Sequence, residues 1–219
     1  MTGLRVETIE RGCPRNDWPA LETLYLESFP SHERVDPEQL VDTLDTGERE
    51  LFLVKEGGEL KGFLITLRLL DGKIAMIEYV AVAPAARGEG IGAELFKAAY
   101  LHYRTRGTVG FVGEAEAREA GKSDERDVKA RRIAWWERLG GGLGGVRLIP
   151  GQLYRVPNLN GGGTVPMELG WLPLTDGMDR PTGPALEAIV RDIWRRCYDR
   201  DRGDPLLEEI VELTRKIGT

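Results

Sequence analysis

Hydrophobic and polar positions alternate at the start of the chain and then change period, and each change predicts an element. Leu4 to Ile9 alternates apolar with polar residues, the pattern of a half-buried strand. Asp17 to Phe29 has the helical period, with Leu21, Leu24, Tyr25 and Phe29 along one face. Pro30 and Ser31 end that helix, and Pro37, at a helix-start position, opens a second short one through about Leu44. Leu51-Phe52-Leu53-Val54 then leads into Gly57-Gly58, Leu60 to Leu70 resumes an extended pattern, and Asp71-Gly72 turns the chain into Ile74 to Val82. Both dipeptides tolerate positive φ, so the stretch predicts three antiparallel strands joined by tight hairpins.

From Gly90 to about Arg106 the period is helical again, with Ile91, Leu95, Ala98, Ala99 and His102 on one face and Gly107 as the stop. Val109 to Val112 is a short apolar run, expected to form a buried strand parallel to its neighbour after the helical crossover. Ser123 or Asp124 caps a further predicted helix to Leu139, which Gly140-Gly141-Gly142 ends. Strands follow at Val146 to Val156 and Val165 to Trp171, with a loop over 157–163 between them. Pro173 and Asp176-Gly177 mark a boundary, beyond which Pro184 to Asp201 and Pro205 to Ile217 read as amphipathic helices. This order predicts an α/β domain over 1–174, with a mixed, mostly antiparallel sheet flanked by helices, and a C-terminal helical extension over 175–219. The extension is expected to pack on the domain or on a second copy of the chain in a homodimer.

Composition narrows the function classes. With 219 residues, 41% of them hydrophobic and 30% charged, the chain can bury a sizeable core and needs no long disordered region. A net charge of -6 argues against a general nucleic-acid binder, which presents a basic surface. No apolar run reaches the roughly 18 residues of a membrane span, and the first residues lack the apolar core of a signal peptide, so a cytoplasmic protein without membrane partners is expected. Two distant cysteines, Cys13 and Cys197, read as free thiols, and with His32 and His102 as the only histidines no metal site is expected.

The chemistry begins where the third meander strand ends. Val80-Ala81-Val82 is followed by Ala83-Pro84-Ala85-Ala86, by Arg87-Gly88-Glu89-Gly90-Ile91-Gly92, and then by a helix. Glycines let the backbone approach a bulky anion, the first amides of a helix lack internal partners, and Arg87 adds a permanent cation. The environment suits a pyrophosphate. Two other readings fit the same residues: a tight turn that binds nothing, and the dinucleotide fingerprint G-x-G-x-x-A of an NAD-dependent enzyme, with Glu114 further on as its acidic residue. Against the dinucleotide reading, Pro84 and Arg87 lie between strand and glycines, and the strand arrives from antiparallel hairpins.

Arg87, Gly90 and Gly92 match, in register, the Arg/Gln-x-x-Gly-x-Gly/Ala signature of the GNAT superfamily of acyl-CoA-dependent N-acyltransferases, which the chain resembles over about Leu4 to Leu174. Tyr79 to Pro84 resembles the strand and loop before that signature, and Trp135-Trp136-Glu137-Arg138-Leu139-Gly140 resembles the family's later helix end. The resemblance implies a GNAT-like fold and acetyl-CoA, or another acyl-coenzyme A, as co-substrate. The amides of Gly88, Glu89, Gly90, Ile91 and Gly92 would hold the pyrophosphate beside Arg87. Val80, Ala81 and Val82 would splay from the strand near Phe111 and pair with the pantetheine arm as an added strand. A small-molecule or peptide amine would then attack the thioester directly.

Such an attack needs a base for the amine and an acid for the leaving thiolate. Many members of the family carry a tyrosine acid where this chain has Trp136, whose indole cannot serve. That departure leaves open a non-catalytic acyl-CoA sensor. Tyr154, or solvent, would replace the missing acid, although a packing tyrosine is the simpler reading of Tyr154. Glu78, Glu114 and Glu116 stand near strand ends as candidate bases, the last two on one side of their strand by its two-residue period. Phe29-Pro30-Ser31-His32-Glu33-Arg34 resembles a Phe-Pro-x-x-Glu-Arg segment of one bacterial branch, so Glu33 and Arg34 would line the acceptor site. Trp135, Trp136 and Trp171 read as core or subunit contacts rather than a stacking surface.

Overall fold

The computed structural model describes residues 4–117, 130, 134, 146–150, 153–175 and 177–217. It is a mixed α/β structure with mostly antiparallel strands, and it comprises two compact units, one of residues 1–68 and 75–108, the other of residues 69–74 and 109–219.

The first unit holds β1 (Val6–Ile9), α1 (Trp18–Ser28), α2 (Pro37–Thr46), β2 (Arg49–Glu56), most of β3 (Glu59–Leu69) and β4 (Ile74–Val82), and α3 (Ile91–Thr105). Its strands run side by side in the order β1-β2-β3-β4, and β2 is antiparallel to both β1 and β3, with Val6 opposite Val54 and Leu51 opposite Ile65. The apolar run of β2 is continuous rather than alternating because both faces of the strand are covered. Leu51 and Leu53 join Leu21, Leu24, Leu40 and Leu44 in the core under α1 and α2. Phe52 points the other way, where its ring meets Tyr103 of α3 at 6.4 Å. The predicted hairpin at Gly57-Gly58 forms, with both glycines at positive φ (60° and 85°).

The second unit is built on β8 (Thr164–Pro173), which pairs antiparallel with β5 (Gly110–Glu116), β6 (Val146–Ile149) and β7 (Arg155–Pro157). The single strand expected over 146–156 is divided. Pro150 has no N–H to offer a ladder, and its carbonyl accepts from the amides of Leu153 (2.9 Å) and Tyr154 (3.1 Å), so the chain turns there. β5 runs beyond the expected Val112 because Ala115 and Glu116 find partners in Glu168 and Met167 of β8. Trp171 belongs to the core, its six-membered ring lying over Gly110, where an added Cβ would come within 2.1 Å.

The C-terminal helices α4 (Gly183–Cys197) and α5 (Pro205–Lys216) pack within this second unit. α4 stops before the expected Asp201 because the amides of Tyr198 and Arg200 both turn back to the Trp194 carbonyl and Asp199 takes φ 52°. The turn after β3 also needs left-handed backbone, at Leu70 (φ 48°), Asp71 (56°) and Gly72 (83°). Its first amide is held from α4: the buried carboxylate of Asp192 accepts from Leu70 N at 2.8 Å. The helix expected to end at Leu139, and Trp135 and Trp136 with it, lies outside the described residues. Cys13 and Cys197 are buried free thiols, and among the described residues no helix is long and apolar enough to cross a membrane.

Candidate functional site

The loop between β4 and α3 is shaped by its own sequence. Pro84 opens a short 3-10 turn over Pro84–Ala86, closed by Ala86 N donating to the Ala83 carbonyl at 2.9 Å. Gly88 (φ 89°) and Gly90 (φ 83°) then take left-handed backbone, a conformation that L side chains rarely adopt, and each has open space where a Cβ would stand. Gly90 is the N-cap of α3 and its carbonyl receives the helix's first bonds, from Ala93 (3.0 Å) and Glu94 (3.1 Å). Among the described residues, the amides of Gly88, Glu89, Gly90, Ile91 and Gly92 donate to no backbone acceptor. Successive N–H groups at a helix start, around two left-handed glycines, form an anion-binding concavity. Arg87, at the mouth of the same loop, donates from Nε to the Val82 carbonyl at 3.3 Å.

The strand supporting this loop is placed by a glycine that sequence reasoning passed over. A Cβ on Gly62 of β3 would lie 2.8 Å from the Ala81 carbonyl and 3.0 Å from Cγ2 of Ile91. Ala83 N also donates to the Lys61 carbonyl at 2.9 Å, so β3 holds Val80 to Val82 and the start of α3 together. The available signal was a glycine inside a strand pattern, which marks a close approach of another backbone.

The carboxylates nominated as bases have distinct surroundings. The side chain of Glu78 on β4 is nearly covered, and both its oxygens accept from Arg49, from Nε and Nη2 at 2.7 Å each. Arg49 Nη1 also donates to Thr43 Oγ1 of α2 at 2.9 Å. This geometry gives Glu78 a structural task, tying β4 through β2 to α2. Glu114 on β5 is half-buried, and each of its oxygens accepts from a tyrosine: Oε1 from Tyr154 and Oε2 from Tyr198 at 2.5 Å. Burial first, then the charge of Glu114, pushes the phenol of Tyr154 well above its ordinary range. The same two causes act on Tyr198. A fully buried phenol so placed keeps its proton. Glu116 stands half-buried at the last position of β5.

Glu33 closes a 3-10 turn of residues Ser31–Glu33 between α1 and α2, with His32 Nε2 at 3.3 Å from its Oε1. Arg34 follows, and its Nη1 donates to the Phe29 carbonyl at the end of α1. Their common segment is therefore folded back on itself rather than extended.

Residues 18–124 match the family model described as the acetyltransferase (GNAT) family. No curated protein matches the chain at a significant level. Among solved structures, the chain resembles a protein assigned to the GNAT acetyltransferase family from Bacteroides thetaiotaomicron, at 20% identity and a TM-score of 0.67 over 90% of this chain and 100% of that one. It also resembles yncA from Salmonella typhimurium with its cofactor acetyl-CoA (17% identity, TM-score 0.55, 82% and 99% covered). A third is the aminoglycoside 6'-N-acetyltransferase from Enterococcus faecium (16%, 0.55, 81% and 99%). Likenesses at this level of identity speak to the fold, and the family model speaks to the loop that closes β4. Strand, left-handed glycines and helix start agree with both, and residues 18–124 carry the likeness to the GNAT acetyltransferase family.

Proposed function

We propose that the chain is an N-acetyltransferase that carries an acetyl or similar acyl group from coenzyme A to an amine by direct attack on the thioester. The observation that carries this reading is the run of amides from Gly88 to Gly92 around two left-handed glycines, a cradle for a pyrophosphate at a helix start. Val80 to Val82 would offer backbone to the pantetheine arm, and Glu33 and Arg34 would face the acceptor. Glu78, Glu114 and Glu116 are the candidate bases for the amine's proton, Glu78 bonding a buried guanidinium and Glu114 two phenols. The leaving thiolate would take its proton from solvent, since the phenol of Tyr154 is buried and engaged. Aminoglycosides come first among small amines to try, because an aminoglycoside acetyltransferase shares the fold.

Calorimetry with coenzyme A and thiol release with an amine panel test the reading. Wild-type protein should bind coenzyme A, and Gly92→Glu, which puts a carboxylate among the cradle amides, should lose that binding while remaining folded. Unchanged affinity in Gly92→Glu would refute the cradle, and coenzyme A binding without turnover on any amine would favour a sensor.

A further inference from the structure

The segment that carries Glu33 and Arg34 is held at Val35 by hydrogen bonds to two buried tyrosines. The Val35 amide donates to Tyr79 Oη at 3.2 Å, and the Val35 carbonyl accepts from Tyr25 Oη at 3.0 Å. The backbone of Val35 thus donates to one phenol and accepts from the other. Both rings are buried, and they meet edge to face at 5.0 Å. Phe29 stands against the face or edge of both, 5.0 Å from Tyr79 and 5.7 Å from Tyr25, and its carbonyl is the acceptor for Arg34. The segment is thus pinned at both ends, at Phe29 through Arg34 and at Val35 through the two tyrosines.

Packing alone does not require these hydroxyls. Phenylalanine would fill the same space among Phe29, Phe63 and the neighbouring leucines without placing polar atoms in an apolar setting. Buried hydrogen bonds are strong in an apolar setting, and a pair that grips one residue from both sides selects one geometry. What it selects here is the position of Val35, directly after Glu33 and Arg34, relative to β4, where Tyr79 immediately precedes Val80.

We propose that Tyr25 and Tyr79 are positioning residues for the acceptor amine, acting through Val35 to fix Glu33 and Arg34 against the coenzyme-bearing strand. The proposal rests on the reading above in which this segment lines the acceptor site. Tyr25→Phe and Tyr79→Phe each remove one hydrogen bond to Val35 while preserving the volume of the aromatic side chain. With acetyl-CoA and the amine turned over fastest among kanamycin, spermidine and an alanine-terminated peptide, the amine's KM should rise roughly tenfold in either variant, the scale of one lost buried hydrogen bond. The KM for acetyl-CoA should stay within about twofold, since the cradle is untouched. Hydrogen exchange at 31–36, read on the protein whether or not an amine is turned over, should accelerate in both variants. Unchanged exchange there, or equal rises in both KM values, would overturn the proposal. Glu33→Gln and Arg34→Ala separate it from the reading beneath it. A raised amine KM in these two but not in the tyrosine variants sinks the positioning role alone, whereas no change in any of the four sinks the acceptor-site reading with it.

Discussion

Replacing Glu78 distinguishes a base from a structural ion. Its carboxylate and the Arg49 guanidinium are paired at 2.7 Å through two bonds, with side-chain exposures of 6% and 1%. Neither charge has water to fall back on. Glu78→Ala would leave Arg49 buried beside Thr43 with its principal counter-charge gone, and breaking a buried pair in this one-sided way costs about 3–5 kcal/mol. In a chain of this size each kcal/mol lowers Tm by about 2–4 °C, so a fall of roughly 6–20 °C is expected by calorimetry. The double variant Arg49→Met/Glu78→Leu removes both charges and should recover most of that loss, because apolar groups of similar volume often replace a buried pair at little cost. Turnover per folded molecule, measured well below the variant's Tm, should stay within about threefold of wild type. A general base behaves in the opposite way, with a loss of about 10²–10⁴ in rate and little change in Tm. Wild-type Tm in Glu78→Ala together with a hundredfold loss of turnover would refute the structural assignment.

Gly62→Ala sets a methyl 2.8 Å from the Ala81 carbonyl and 3.0 Å from Ile91, so about 1–3 kcal/mol of overpacking and weaker coenzyme A binding should appear together. Wild-type affinity by calorimetry would show that β3 does not support the cradle. Asp192→Asn tests the contact with Leu70: burial pushes the Asp192 carboxyl up, but the Leu70 amide and the neighbouring Arg195 and Arg196 outweigh it and hold the group below its ordinary value. A depressed folded value adds stability that is present above the unfolded value, about 3.9, and is lost as pH falls through the folded one. The variant should therefore unfold more easily than wild type at pH 7, with the gap closing below about pH 4 in denaturant titrations. A gap of equal size at pH 3 and pH 7 would refute the linkage.

Local features of this fold were legible where periodicity and turn chemistry agree. Gly57-Gly58 and Asp71-Gly72 lie between the strands they were expected to separate, and α1, α2 and α3 begin and end within a few residues of the predicted bounds. The glycine loop at the start of α3 was legible for the same reason, since glycine spacing, a preceding strand and a following helix are all contiguous in sequence. Partners drawn from far along the chain were not. Arg49 and Glu78 stand 29 residues apart, and nothing in either strand's pattern says that these two charges meet. Tyr25 read as part of an apolar helix face and Tyr79 as part of the strand before the signature, because sequence gives no sign of where their hydroxyls point. Tyr198 looked like a residue of an amphipathic helix, whereas it follows the end of α4 and bonds Glu114, 84 positions away. Pro150 was a readable break that the apolar run on either side concealed.

The bond between Leu70 and Asp192 spans 122 positions. At synthesis rates of about 5–20 residues per second, α4 leaves the ribosome roughly 6–25 s after the turn that it caps. Until then the left-handed Leu70 and Asp71 have no Asp192 carboxylate to receive the first amide of their turn. The turn between β3 and β4, local as it is in sequence, is thus completed by a helix made long after it. Its final geometry records the arrival of a distant segment rather than the order of its own residues.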